Sequence, residues 1–302
     1  MTQGRRPDPQ FSAPLSTTGS ALTGLATESD TRTCVFTIAS RNYMHSARTL
    51  MDGVARFAPA AHRILALCDE RGDVDHSQDS FEILELSQLA LPNKRHFIFQ
   101  YSLLELNTAI KPFVVDQLFE RGFDQVIYLD PDIAIYDRLD DMIGRLDHAD
   151  ILLTPHITEP LPDDGEPDER HLMVCGTFNL GFIAMRRSPL SHSFVRWWKQ
   201  KLERDCVVDL QRGLFTDQKW VEFAPCFCER VEIVRHPGWN VAYWNLPTRH
   251  VVQTGDRFTV DGQPLVFFHF SGYDPDRGEF SRHQDRYTMS SIPTASRRRT
   301  MR

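Results

Sequence analysis

Asp130 and Asp132 stand one residue apart, directly after the unbroken apolar run Val126-Ile127-Tyr128-Leu129. In an extended segment residues i and i+2 point the same way, so the two carboxylates converge on one point. Side by side they repel each other unless a cation or a proton lies between them. A hard divalent ion, Mn²⁺ or Mg²⁺, is the natural occupant, with a phosphate group completing its shell. Pro131 fixes its own φ and favours an extended Asp130, which helps to hold the pair. An Asp-x-Asp without context more commonly caps a helix. Its place after a buried strand favours the metal.

Four further patches break apolar runs with small or polar residues. In Phe178-Asn179-Leu180-Gly181 the Asn179 amide offers a donor and an acceptor, and Gly181 lets a ligand approach the backbone; a glycine bulge in a strand is an equal alternative. In Thr216-Asp217-Gln218 the plainest expectation is that Thr216 caps a helix with Asp217 in its first turn. Trp239-Asn240-Val241-Ala242-Tyr243-Trp244-Asn245 combines aromatic faces, which stack on sugars and bases, with amides, which bind hydroxyls; aromatic core packing is the commoner use of such density. The run Leu265-Val266-Phe267-Phe268 ends in His269 and then Gly272, and a lone histidine there is most often structural.

These residues need a scaffold, and the chain alternates strand and helix patterns. Cys34–Ala39 reads as a strand, Met44–Phe57 as a helix stopped by Pro59, Arg63–Cys68 and Phe81–Leu86 as strands, Ile110–Phe119 as a helix, and 126–129 as a buried strand. That alternation predicts an α/β domain with a parallel, nucleotide-binding type of sheet, whose ligands sit at the carboxyl ends of the strands. Residues 1–31 read as a disordered Ser/Thr/Gly/Pro-rich arm, 32–290 as a single domain, and 291–302 as a disordered basic tail able to touch an anionic membrane. The acidic, proline-rich segment 161–170 reads as a loop, either a lid or simply solvated.

A net charge of −7 argues against a nucleic-acid-binding protein. No apolar run reaches the length of a membrane span, and no hydrophobic core follows Arg5 and Arg6 as in a secretory signal. The six cysteines lack C-x-x-C spacing, so reduced thiols and a cytoplasmic location are expected.

Taken in order, the patches resemble the retaining glycosyltransferases of family 8, the glycogenin and bacterial galactosyltransferase group. The similarity runs from residue 34 to about 275. It rests on Ile110-Lys111, Asp130-Pro131-Asp132, Phe178-Asn179-Leu180-Gly181, Asp217-Gln218, Trp239-Asn240 and His269-Phe270-Ser271-Gly272. The resemblance implies a GT-A fold, a Rossmann-like mixed sheet flanked by helices. It also implies Mn²⁺ or Mg²⁺ held by Asp130, Asp132 and His269, with a nucleotide-sugar donor, UDP-sugar favoured, bound near Lys111, Asn179, Gly181, Trp239, Asn240 and Gly272. Asp217 and Gln218 would lie beside the donor sugar, and Ala39, Asn42 and Tyr43 near base and ribose. The acceptor is left open: a glycan, a lipid-linked glycan, a natural product or a protein.

Two departures stand out. Tyr273-Asp274-Pro275 replaces the family's Lys-Pro-Trp-like segment, so a diphosphate-binding cation must come from Arg277 or Arg282, or be absent. Ala39-Ser40-Arg41-Asn42 replaces a Thr-Asn-Asp-like step, which loosens the expectation for the base. A haloacid-dehalogenase-like phosphatase, with Asp130 as nucleophile and Asp132 as acid/base, is one alternative. A sugar-nucleotide-binding protein without catalysis is another.

Overall fold

The computed structural model describes residues 31–72, 74–274 and 277–288. The expectations for 1–30 and for the 291–302 tail lie outside the described residues.

Four strands open the central sheet: β1 (Thr33–Ala39), β2 (His62–Leu67), β3 (Glu82–Glu85) and β4 (Gln125–Leu129). After the short β5 (Ile133–Ile135) come β6 (Ile151–Pro155) and β7 (Phe178–Arg186). The seven-stranded sheet runs in the order Val231–Ile233, β6, β7, β4, β1, β2, β3. β1 is parallel to both β2 and β4, but β7 is antiparallel to both β4 and β6. The sheet is therefore mixed, as the resemblance implies, and not all parallel as the alternation of strands and helices alone suggests. A reversed strand beside β4 brings the first residues of β7 to the carboxyl end of β4, and the Asp130 amide donates to the Gly181 carbonyl at 2.8 Å.

Helices cover both faces. On one side α1 (Met44–Phe57) buries Met44, Ala47, Leu50, Met51 and Val54 at i, i+3, i+4 spacing. It packs with α5 (Asp140–Arg145) over Val35, Ile127 and Leu129. On the other, α2 (Lys94–Phe99), α3 (Leu103–Ala109), α4 (Lys111–Glu120) and α7 (Pro189–Leu202) cover Phe36, Val126 and Tyr128. β4 is thus apolar on both faces because both are covered, and each fully buried side chain of this kind contributes about 1.5–3 kcal/mol. Pro112 falls in the first turn of α4, where its missing N–H costs nothing, and Gly122 follows the end at φ 84°. α6 (Glu169–Cys175) and the short α8 (Gln218–Val221) complete the site wall.

Among the described residues no helix is long and apolar enough to cross a membrane. All six cysteines are free; Cys34, Cys68, Cys206 and Cys228 are buried.

Candidate metal and donor site

The strand Phe267–His269 pairs antiparallel with β5, setting His269 opposite Ile133, one residue past Asp132. That pairing closes the triad. His269 Nε2 lies 3.2 Å from Asp132 Oδ1 and 3.5 Å from Asp130 Oδ2. Neighbouring ligands of an octahedral ion with bonds of 2.0–2.1 Å are about 3 Å apart, so the two His269 distances are close to those of adjacent ligands, and the three ligand atoms all lie within 4.8 Å of one another. The aspartate side chains are 29% and 26% exposed, which leaves room for further ligands, whereas the imidazole is 3% exposed.

The charges at this point depend on one another. Burial raises the pKa of Asp130 against the opposing charges of Lys111 and His269, and Asp132 adds to the rise. Burial would raise Asp132 as well, but the His269 charge and hydrogen bond bring it below the usual carboxylate range. Burial disfavours a charged His269, yet Asp132 and Asp130 overcome it and raise the imidazole. Ring and carboxylates thus favour each other's charged forms, and a divalent cation held by them would compete with protons for the same atoms.

The rest of the surroundings follow from β4 and β7. The Tyr128 hydroxyl, on the same face of β4 as Asp130, donates to its carboxylate, and burial drives the Tyr128 pKa well up. Lys111 sits over the Tyr128 ring at 4.2 Å, pairs with Asp217 at 2.6 Å and donates to the Leu180 carbonyl at 2.9 Å. Gln218 accepts from the Leu180 amide at 2.9 Å and donates to the Cys175 carbonyl at 2.8 Å. The expected Thr216 cap is not formed. Thr216 adopts φ 47°, Asp217 is the residue before α8 and makes no side-chain cap, and its carboxylate goes to Lys111 instead. A buried lysine outbids a helix end for a buried carboxylate.

Gly181 has a different use from ligand approach. A Cβ there would come within 2.2 Å of His269 Cε1, so the imidazole occupies that space. Asn179 accepts from the Gly181 amide at 3.1 Å, and Asn240, at φ 50°, donates to Asn179 Oδ1 at 3.0 Å. Both amides lie behind His269. Trp239 is 1% exposed and packs against Phe182 and Phe267, the core use of that aromatic patch. Gly272, at φ 71°, lies under the loop that follows: a Cβ there would meet His283 Cδ2 at 2.5 Å.

At the carboxyl end of β1, Ala39 is buried, and Arg41–Tyr43 forms a single exposed turn with Tyr43 41% exposed. The Ser40 hydroxyl donates to Asn42 Oδ1 at 2.6 Å, and Asp69, just past β2, accepts from the Arg41 amide with both oxygens at 3.1 Å. Of the two cation candidates, Arg277 pairs with Asp274 at 3.5 Å, whereas the charge of Arg282 acts on Asp132.

The acidic loop is tied down. The Arg286 guanidinium, 5% exposed, donates to the carbonyls of Pro162, Gly165 and Pro167 and pairs with Asp164, while Asp285 accepts from the Glu166 amide at 2.7 Å. A second acidic group, Glu166, Asp168 and His171, is exposed, and Asp168 caps α6 there.

Sequence patterns passed over Tyr128, His156 and Asp69. Tyr128 was signalled by being two residues before Asp130. His156 ends β6 as the other polar groups end their strands. His156 is buried, which pushes its pKa down to about 4, and its Nε2 meets the Asn179 amide nitrogen at 3.3 Å.

No protein-family model matches the chain. It is 26% identical over 168 residues to the uncharacterized protein YfnF of Bacillus subtilis (strain 168), covering 54% of this chain and 55% of that protein. It is 35% identical over 100 residues to YfnD of the same organism, covering 32% of each. The matches thus span about half and a third of those relatives. Among solved structures, the bifunctional glycosyltransferase WbbM in its apo form superposes with a TM-score of 0.50 at 16% identity, covering 90% of this chain and 52% of that one. Mouse xyloside xylosyltransferase 1, apo form, gives 0.48 at 12% identity, covering 79% and 97%. The fold is the GT-A type of glycosyltransferases, in a single domain.

Proposed function

We propose that the protein is a divalent-metal-dependent glycosyltransferase that moves a sugar, with retention, from a nucleoside-diphosphate donor, UDP-sugar first among them, to an acceptor. The observation that carries this is the convergence of Asp130, Asp132 and His269 Nε2 at the carboxyl end of β4, with spacings that suit one cation. A bound Mn²⁺ or Mg²⁺ supplies Lewis-acid stabilisation of the negative charge that builds on the departing diphosphate.

The chain's own residues do the rest. Asp130, Asp132 and His269 hold the ion. Arg282, whose charge acts on Asp132, would meet the diphosphate. Ala39, Asn42 and Tyr43 border the base and ribose. Asp217 and Gln218 form the back wall of the donor-sugar position: their polar atoms hold Lys111 and Leu180, so they act through field and shape. The 161–168 loop and α6 face the acceptor, with Met173 and Val174 of α6 exposed. The phosphatase alternative finds no support in this site.

Calorimetric titration of UDP and GDP, with and without Mn²⁺, on the wild type and Asp132→Ala tests the proposal. UDP binding that requires Mn²⁺ and disappears in the variant is expected. Failure of both nucleotides to bind with metal present would overturn it. Metal-dependent binding without donor turnover for any acceptor would leave a sugar-nucleotide-binding protein in its place.

A further inference from the structure

Asn240 is fully buried and held in the left-handed region at φ 50°. Asparagine is among the few non-glycine residues that take up that conformation readily. Its backbone is pinned in turn, since Asn245 Nδ2 donates to the Asn240 carbonyl at 3.0 Å and to the His156 carbonyl at 3.1 Å. So much support behind one amide calls for a use.

The orientations in this cluster follow from donors that have no alternative. The Gly181 backbone N–H can only donate, so the atom of Asn179 facing it at 3.1 Å is oxygen. At the other end His156 Nδ1 faces the Thr177 carbonyl at 3.3 Å and must carry the proton, leaving Nε2 to accept from Asn179 Nδ2 at 3.3 Å. Both ends therefore fix the same orientation of Asn179. Asn240 then has to present its nitrogen to Asn179 Oδ1 at 3.0 Å, and the same nitrogen reaches Thr154 Oγ1 at 2.9 Å. Its oxygen is left facing His269 Nδ1 at 3.3 Å, with Asn179 Oδ1 at 3.2 Å from the same nitrogen. Surrounded by two oxygens, Nδ1 must be the protonated nitrogen.

We infer that Asn240 is a positioning residue that fixes His269 in its Nδ1–H form, through a relay anchored on the Gly181 amide, so that the Nε2 lone pair points between Asp130 and Asp132. A hydrogen bond to the far nitrogen of a ligating histidine sets its tautomer and ring angle and strengthens it as a ligand. Gly181 serves the same end by making room for the ring. The inference rests on the metal-binding role proposed above, but the ring tautomer can be read without metal.

The test compares wild type, Asn240→Asp and Asn240→Leu. Aspartate keeps an acceptor for Nδ1–H but loses the amide donor to Asn179 Oδ1, which isolates the acceptor's role; leucine keeps bulk and removes both. Mn²⁺ affinity is read from the electron paramagnetic resonance of free Mn²⁺, and the His269 tautomer from ¹⁵N chemical shifts of histidine-labelled, metal-free protein on the high-pH plateau where the ring is neutral, assigned with a His269→Gln control. Asn240→Leu should bind Mn²⁺ about 10–100-fold more weakly and show protonation moving to Nε2. Asn240→Asp should stay within about threefold of wild type and keep Nδ1–H. A folded Asn240→Leu with wild-type affinity and an unchanged tautomer would overturn the inference. If the leucine variant does not fold, Asn240→Asp decides: retained affinity with Nδ1–H supports it, and loss of either contradicts it. A wild type that binds no Mn²⁺ would count against the metal reading alone, and the tautomer of the folded variants would still judge the relay.

Discussion

Two groups of charge lie at the same end of the sheet and are handled in opposite ways. Lys111 and Asp217 are each 2% exposed and 2.6 Å apart, and each is the other's counter-charge. Asp130 and Asp132 are about a quarter exposed and share a single imidazole between two carboxylates. The first group is complete within the chain. The second leaves two part-exposed carboxylates to one imidazole, with the charges of Lys111 and Arg282 also acting on them. A buried, closed pair suits architecture, and a part-exposed one suits the binding site proposed above, although both are made of the same residue types.

The contrast is broken most severely from the closed side. Lys111→Met leaves Asp217 buried without a partner and should lower stability by about 3–5 kcal/mol in urea unfolding. The double variant Lys111→Met/Asp217→Leu should recover most of that loss. Equal stability of single variant and wild type would show that the pair is not closed.

Behind the open group, His156 is buried and is held neutral by that burial. Its folded pKa of about 4 lies below the ordinary 6.5, so the unfolded chain binds the extra proton first as pH falls. The stability it contributes is therefore present above pH 6.5 and is lost between 6.5 and 4, by about 3 kcal/mol in all. His156→Gln should remove that part of the pH dependence, visible as urea midpoints that fall less between pH 7 and pH 4.5.

A smaller effect is expected at the acidic loop. Arg286→Ala should speed hydrogen exchange at the Glu166 amide by at least about tenfold, the equivalent of one net hydrogen bond of about 1–1.5 kcal/mol. Mn²⁺ affinity should not change, because the loop is held by Asp285 and Arg286 and not by the carboxylate pair. The smallest change should come from the open group itself. Asp132→Ala in metal-free protein removes a repulsion along with a histidine contact and should move stability by no more than about 0.5–1 kcal/mol. A loss as large as that of Lys111→Met would mean that the aspartate is structural.

Much of this was legible in the chain. The periodicity of Met44–Phe57 gives its helix to the residue, and the two-sided apolar run 126–129 announces a strand covered on both faces. The carboxylate pair is readable because a spacing of two in an extended segment is local geometry. What could not be read locally is what depends on pairing across the fold. That β7 runs against β4 decides which residues meet Asp130. Whether Asp217 serves a helix's first turn or neutralises Lys111 is settled by a lysine far earlier in the chain. The amides Asn179 and Asn240 look like ligand contacts in sequence because a polar side chain in an apolar run has to bind something; here they bind a histidine.

Direct Mn²⁺ binding by wild type and Asp132→Ala, followed by paramagnetic resonance at pH 7.5, tests the central claim most simply. One site is expected in the wild type, with its loss in a variant whose stability stays within about 1 kcal/mol of the parent. A wild type that binds no Mn²⁺, or an Asp132→Ala that binds it equally well, would contradict it.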